Sequence, residues 1–293
     1  MRWVIVVNPY SGKKRGLTLA HEVKRIASER DIESEWICGS SAEESRLLLG
    51  RAISTGSISA VIVVGGDGLV NLAIQELATT SIPMAVLAAG TGNDFARANG
   101  TVDFGPTELV DFMTTNAPIE IDLGGATLGA KTSWFGQVLS TGFDSMVNER
   151  ANRFTKIKGQ VKYDLSILLE LPKFQPKSYR IVADGREIHA KAMLVAVANG
   201  PTYGGGMRVC PSANRQDGMF DVLLLHPIPK WEFLKVFPKV FKGTHVTHPK
   251  VEIFRCREIQ IEADAVAYAD GERYGELPLK ASVHPQSLLT WVS

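Results

Sequence analysis

The sequence predicts an α/β domain built on a parallel sheet, followed by a largely antiparallel β domain. Three observations carry that expectation. Over the first 122 residues, short apolar runs alternate with helical patterns, as in a parallel sheet covered on both faces. Beyond Asp122 most segments read as strands. The length, 293 residues, suggests two domains at about 100–200 residues each. Charge divides at the same place. The net charge is +1, but residues 1–122 hold 10 Lys+Arg against 15 Asp+Glu, and the remainder holds 22 against 16. An acidic half followed by a basic half points to two domains with different partners.

In chain order, Trp3–Val7 reads as a short buried strand. Leu17–Ser28 reads as a helix, Glu33–Cys38 as a strand and Ala42–Ile53 as a helix. The all-apolar Ala60–Val64 is a strand, Leu69–Leu77 a helix, Met84–Ala88 a strand and Thr107–Thr114 a helix. Gly124-Gly125 is the expected junction, giving domains 1–122 and 123–285, with residues 286–293 able to return to the first. The second domain has strands at Ser178–Ala183, Ile188–Ala198, Phe220–Leu225, Val251–Phe254, Glu258–Ile261 and Leu277–Val283. Helices near Asp144–Asn152, Val161–Leu171 and Lys230–Phe241 interrupt them.

Composition excludes several classes. Hydrophobic residues at 45% and charged residues at 22% are ordinary for a globular chain and argue against disorder, collagen and coiled coil. Three scattered cysteines, none in a C-x-x-C pair, do not make a disulfide framework or a zinc site and suit a reduced compartment. The start does not read as a signal peptide, and the longest apolar run, Ala192–Ala198, is far short of the ~20 residues of a membrane helix. No basic stripe with exposed aromatics calls for a nucleic acid.

Chemistry concentrates in glycine-rich turns. Val61–Val64 runs into Gly65-Gly66-Asp67-Gly68, and Met84–Ala88 leads to Gly90-Thr91-Gly92-Asn93-Asp94. Beyond the carboxyl end of a parallel strand, glycines let backbone N–H groups approach a phosphate. Asp67 could add an oxygen for Mg²⁺, or simply cap a helix. Asn8-Pro9-Tyr10-Ser11-Gly12-Lys13 follows the first strand; Lys13 suits a phosphate, though the basic turn could equally be solvated. The Walker A spacing is absent. In the second half, Gly204-Gly205-Gly206-Met207 precedes Asn214-Arg215-Gln216-Asp217-Gly218-Met219. Asp270-Gly271-Glu272 places two carboxylates two apart, on one side of a regular strand or in a surface hairpin. His245 and His248 read as surface or hairpin residues rather than metal ligands.

In this order the motifs resemble the diacylglycerol kinase catalytic family, which includes soluble bacterial lipid kinases and sphingosine kinases. The matching residues run from Asn8–Lys13 through Gly65–Gly68, Gly90–Asp94, Asp122-Leu123-Gly124, Gly204–Met207 and Asp217-Gly218 to Asp270–Glu272. The resemblance implies a Rossmann-like, phosphofructokinase-like first domain, a β-sandwich-like second domain that takes the lipid, and ATP in the cleft between them. It implies that Gly65, Gly66, Asp67, Gly68, Asn71, Gly90, Thr91, Gly92 and Asn93 hold the nucleotide, with Asn8, Pro9, Ser11, Gly12 and Lys13 nearby. By the same resemblance Asp67 helps bind catalytic Mg²⁺, Asp270 is the general base and Glu272 completes its motif. Asp217 becomes the ligand of a structural Mg²⁺ with the carbonyls of Asn214 and Met219, and Asp94 and Asp122 form a polar network. The sequence departs from many relatives in having Leu69 and Leu72 where they have threonine and glutamate.

The expected function is therefore transfer of the γ-phosphate of MgATP to a primary hydroxyl of a lipid such as diacylglycerol. The alternatives are a soluble-substrate kinase like NAD kinase and a catalytically silent nucleotide-binding regulator. The expected location is cytoplasmic, peripheral to the inner face of the membrane, and a homodimer is compatible with the sequence. Two basic segments bear on the membrane. Arg153–Arg180 holds seven basic and two acidic residues. Lys230–Lys242 sets Leu234, Phe237 and Phe241 on one helical face and Lys235, Lys239 and Lys242 on another. Either could be an ordinary core helix with solvated lysines or a surface helix at an anionic bilayer.

Overall fold

The computed structural model describes residues 1–154 and 160–293, with only the backbone described at 13, 14 and 160–164. The chain divides into two compact units, Met1–Leu123 with Pro285–Ser293, and Gly124–His284.

The first unit is the expected parallel α/β sheet. Its elements are β1 (Arg2–Val7), α1 (Arg15–Glu29), β2 (Glu33–Ile37), α2 (Ala42–Ser54), β3 (Ala60–Gly65), α3 (Asp67–Leu77), β4 (Met84–Ala88), α4 (Asp94–Ala98), α5 (Pro106–Thr115) and the start of β5 (Ile119–Leu128). The strand order is β2-β1-β3-β4, all parallel. The chain's last strand joins beside β4, with Thr290 opposite Met84 in parallel register. Strands β1, β3 and β4 are buried nearly throughout because helices cover both faces, which is why they read as unbroken apolar runs, whereas the edge strand β2 exposes Glu33 and Glu35. Trp3, Ile5, Val23, Ile62, Leu87 and Trp291 share one core cluster. Local signals set the helix starts. The Ser41 hydroxyl accepts the Glu44 N–H at 3.1 Å, and the Glu44 carboxylate accepts the Ser40 N–H in return.

The second unit continues with β5, β6 (Lys131–Phe135), β7 (Val138–Gly142), α6 (Phe143–Arg153), α7 (Gln160–Glu170), β8 (Lys177–Ala183), β9 (Arg186–Ala192), β10 (Leu194–Ala198) and β11 (Phe220–Leu225). There follow α8 (Lys230–Val236), β12 (Val251–Cys256), β13 (Glu258–Glu262), β14 (Val266–Ala269), β15 (Glu272–Glu276) and β16 (Leu279–Thr290). One antiparallel sheet runs β12-β11-β10-β7-β14-β15. Opposite it, β13 pairs antiparallel with both β8 and β16, and β9 extends β8. The shared core holds Leu139, Ile181, Val195, Val197, Phe220, Val222 and Ile261. The alternate residues Val138, Ala196, Ala198 and Leu223 face a second cluster with Phe143, Ile167 and Phe233 from the helices. Both faces of the central strands are buried, so alternation is invisible in their sequence.

Two expectations change. The run Ile188–Ala198 is two strands, broken at Met193, whose N–H bonds to Leu225 O at 2.7 Å while its carbonyl accepts the Phe143 N–H at 2.8 Å. Lys230–Phe241 is a short α-helix followed by a 3-10 turn, Phe237–Lys242, which begins one residue before Pro238. Gly124-Gly125 stands where the two units divide, and both residues lie inside β5, where an added Cβ on Gly124 would sit 2.1 Å from the Phe135 ring. Of the basic segment Arg153–Arg180, Lys156, Lys158 and the Lys162 side chain lie outside the described residues.

Candidate functional site

In the first unit, three turns leave the carboxyl ends of β1, β3 and β4. The β1 turn is held by the Asn8 N–H, which donates to Val64 O at 3.2 Å, and by the Asn8 side chain, which accepts the Tyr10 N–H at 3.0 Å. Pro9 lies inside this turn, half-buried. Gly12 approaches the β4 turn so closely that a Cβ there would lie 2.6 Å from Ala89 O. Among the described residues the buried Ser11 hydroxyl has no hydrogen-bond partner. The Lys13 side chain lies outside the described residues.

The turns after β3 and β4 touch backbone to backbone. A Cβ on Gly90 would stand 2.5 Å from the Gly66 Cα, and one on Gly92 would stand 2.4 Å from an Asp67 oxygen, so these glycines are required by close approach. Asp67 is the clamp. Its Oδ2 accepts the Asn93 N–H and its Oδ1 the Asp94 N–H, both at 2.9 Å. Asn93 stands at φ +55°, and its side chain exchanges two 3.0 Å bonds with the Gly90 backbone. Burial raises the Asp67 carboxyl pKa, opposed by those backbone donors. Gly68 and Thr91 are exposed beside the clamp. Asn71 is buried with its Nδ2 unpartnered. Leu69 and Leu72 are core residues, and Leu69 lies directly over Gly65. Asp94 is buried, and the buried Asp122 accepts the Gln286 N–H at 3.0 Å, tying down the returning C-terminal segment.

In the second unit, Asp270 and Gly271 form the two-residue turn between β14 and β15, at φ +50° and +85°. The regular-strand picture therefore fails: Asp270 and Glu272 do not share a strand face, and Glu272 is exposed at the start of β15. Asp270 Oδ2 accepts the Gly136 N–H at 2.7 Å, and Oδ1 accepts those of Gln137 and Val138 at 3.0 and 3.1 Å. Three backbone N–H groups thus clasp the carboxylate. The buried Arg215 guanidinium is lowered to about 10 by desolvation, and the Asp270 charge offsets part of that shift.

Around Asp217 the structure has a guanidinium where a cation was expected. Arg255 on β12 ion-pairs with Asp217 Oδ2, and its Nε lies 3.1 Å from Asp221. Asp217 Oδ1 accepts the Met219 N–H at 3.1 Å, and the Asn214 side chain accepts the Gln216 N–H at 3.1 Å. Asp217 is thus held between the Arg255 guanidinium and the Met219 N–H in this arrangement. Among the described residues no three His, Cys, Asp or Glu side chains converge on a metal position. His245 is buried rather than superficial: its Nε2 lies 3.0 Å from Val209 O, and desolvation lowers its pKa. His248 pairs with Glu232 at 3.0 Å.

Asp144 is a residue that sequence reasoning did not single out. It lies in the first turn of α6 and contacts the Ser140 hydroxyl at 2.5 Å, the Asn148 amide at 3.3 Å and the Tyr203 side chain. Burial raises its pKa, favouring the neutral acid. Its only sequence signal is an aspartate directly behind an apolar strand, which also describes a helix cap. The backbone clasp at Gly136–Val138 was likewise invisible, because it forms only when the β14–β15 turn closes on it.

Comparison with known proteins bears on both units. Residues 2–126 match the diacylglycerol kinase catalytic domain, and residues 137–292 match the YegS C-terminal NAD kinase beta sandwich-like domain. A diacylglycerol kinase of Mycobacterium tuberculosis is 37% identical over 97% of this chain and 92% of its own length. A diacylglycerol kinase of Bacillus subtilis is 24% identical over 94% of this chain and 90% of its own. A crystal structure of a diacylglycerol kinase from Bacillus anthracis aligns with a TM-score of 0.74 at 19% identity, covering 100% and 97% of the two chains, a likeness of fold.

Proposed function

The chain belongs to the diacylglycerol kinase family of lipid kinases, and from that premise we propose that it transfers the γ-phosphoryl group of ATP to a primary hydroxyl of a diacylglycerol-type lipid. The observation that carries the donor half is the pair of glycine turns locked together by Asp67. Phosphoryl transfer asks a protein mainly for positioning and charge stabilisation. Two backbone-to-backbone turns beside the N-terminus of α3 supply a surface that phosphate oxygens can approach without side chains in the way. Ser11 offers a hydroxyl with unused bonding capacity, and Lys13 a charge.

Mg²⁺ arriving on the nucleotide needs only one or two carboxylates besides phosphate and water. Asp67 suits that role: backbone N–H groups hold both its oxygens at the mouth of the turns, beside the exposed Gly68 and Thr91. A metal there would neutralise phosphate charge.

For the acceptor, Asp270 has the attributes of a general base. Three N–H donors fix its orientation, so its carboxylate is held in place to accept the proton of a substrate hydroxyl. Leu69 and Leu72 do not argue for a silent regulator, because they pack inward as core residues.

The test is transfer of label from γ-labelled ATP into a total lipid extract, with mass identification of the product. Label in a phosphatidic acid supports the reading. Label in NAD, or none in lipid, overturns it.

A further inference from the structure

The segment from α8 through the 3-10 turn carries apolar side chains on two opposite faces. Phe233, Val236 and Val240 point inward and are buried, with the Phe233 ring 5.0 Å from Phe143 and 5.7 Å from Phe237. That inner face satisfies the core. Yet Trp231, Leu234 and Phe241 stand 61%, 48% and 42% exposed on the outside. Their offsets of three and seven residues put them along one edge of the turn sequence. This differs from the sequence expectation in one member: Phe237 is half-buried, and Trp231 takes its place outside.

The charges around this face all have one sign. Lys230, Lys235, Lys239 and Lys242 are exposed beside it, and Lys235 Nζ lies 4.8 Å from the Trp231 ring centroid. Glu232, the segment's single acid, is engaged by His248. Lys230 also contacts the Pro172 carbonyl, just beyond the end of α7, where Leu168 and Leu169 are exposed too. Exposed tryptophan and leucine ringed by lysine is the composition of an interfacial membrane segment. A protein interface, by contrast, is depleted of lysine at its core.

We propose that the outer face of Lys230–Lys242 seats in the surface of an anionic bilayer, with Trp231, Leu234 and Phe241 in the headgroup boundary and the four lysines against lipid phosphates. This rests on the lipid-kinase reading only for the choice of a bilayer as partner, and its test needs no turnover.

Binding is measured by sedimentation with phosphatidylcholine vesicles, with and without phosphatidylglycerol, in the absence of nucleotide. The full chain is expected to bind the anionic vesicles, with added salt weakening but not abolishing binding. The double variant Leu234→Glu, Phe241→Glu should lower partitioning by about tenfold or more while its unfolding midpoint stays unchanged, since neither side chain is in the core. Trp231→Phe should still sediment, yet lose most of the tryptophan quenching produced by brominated lipids; of the other four tryptophans, Trp3 and Trp291 are buried and Trp36 and Trp134 are half-buried in strands outside this segment. Unchanged sedimentation of the double variant, or quenching retained in Trp231→Phe, overturns the proposal. So does a wild-type dimer that the double variant converts to monomer with vesicle binding intact, which would make this face a contact between copies. The kinase reading is separated by a monomeric short-chain substrate. Lost sedimentation with undiminished turnover on that substrate supports the surface, whereas intact sedimentation with no lipid product leaves the surface standing and removes the kinase reading.

Discussion

Replacing Asp67 by alanine removes the acceptor of two backbone N–H groups, those of Asn93 and Asp94, each bonded at 2.9 Å. A hydrogen bond to a charged group contributes about 1.5–3 kcal/mol, so the pair is worth about 3–6 kcal/mol gross. Part of this returns, because the carboxylate is raised in pKa by its own burial and that unfavourable desolvation disappears with it. A half-buried site also lets water reach the freed N–H groups. The expected net loss is about 2–4 kcal/mol. Urea unfolding followed by tryptophan fluorescence reads it, and nucleotide affinity should fall together with stability because the Gly90–Asn93 turn loses its clamp. Asp67→Asn keeps one oxygen and should be intermediate. If Asp67→Ala unfolds at the wild-type urea concentration and loses only Mg²⁺-dependent nucleotide binding, the clamp argument is refuted and Asp67 is a metal ligand alone.

Asp270→Asn should abolish lipid phosphorylation and also lower stability by about 1–3 kcal/mol, since an amide NH₂ would face at least one of the three clasping N–H donors; a variant turning over at near-normal rate removes Asp270 from the chemistry. For Asp144 the folded pKa is raised, so its contribution is fully present below the ordinary carboxylate pKa of about 3.9 and is lost as pH rises through the raised folded value, at up to about 1.4 kcal/mol per pH unit. Asp144→Asn should flatten that fall; a wild-type-like pH–stability profile in the variant would assign the dependence to other groups. Asp217→Asn should shift stability by less than about 1 kcal/mol, because its pair with Arg255 is largely exposed. A larger loss that appears only when Mg²⁺ is present would instead place a cation at that turn.

The first unit was readable because its signals are local. Apolar runs of five or six residues end in glycine, and helices follow with regular periodicity. Thus Met84–Ala88 matches β4 residue for residue. The helix Asp94–Ala98 was missed because it is five residues long and starts where a distant carboxylate, Asp67, holds its first N–H groups. In the second unit β11 was legible, whereas β6, β7, β14 and β15 were not, since they are short and mix Gly, Thr and Ser with apolar residues. The motif glycines announced the turns that close on each other beyond β3 and β4. The partners of Asp270 and the burial of Asp144 depend on contacts over a hundred residues apart or on the packing around α6, and no spacing rule encodes them.

Strand β16 has a consequence for how the molecule is made. The first unit is not finished when its own 123 residues have been synthesised, because its sheet takes Thr290 beside Met84, its α4 end takes Thr290 and Trp291 onto Asn99, and Trp291 bonds to Asn116 O. At about 5–20 residues per second, roughly 10–30 s separate the two parts on a ribosome. Until the closing strand emerges, the outer edge of β4 is an open template with unpaired backbone groups, a liability of the kind chaperones shield. The nascent chain therefore waits with its glycine turns built on an incomplete sheet.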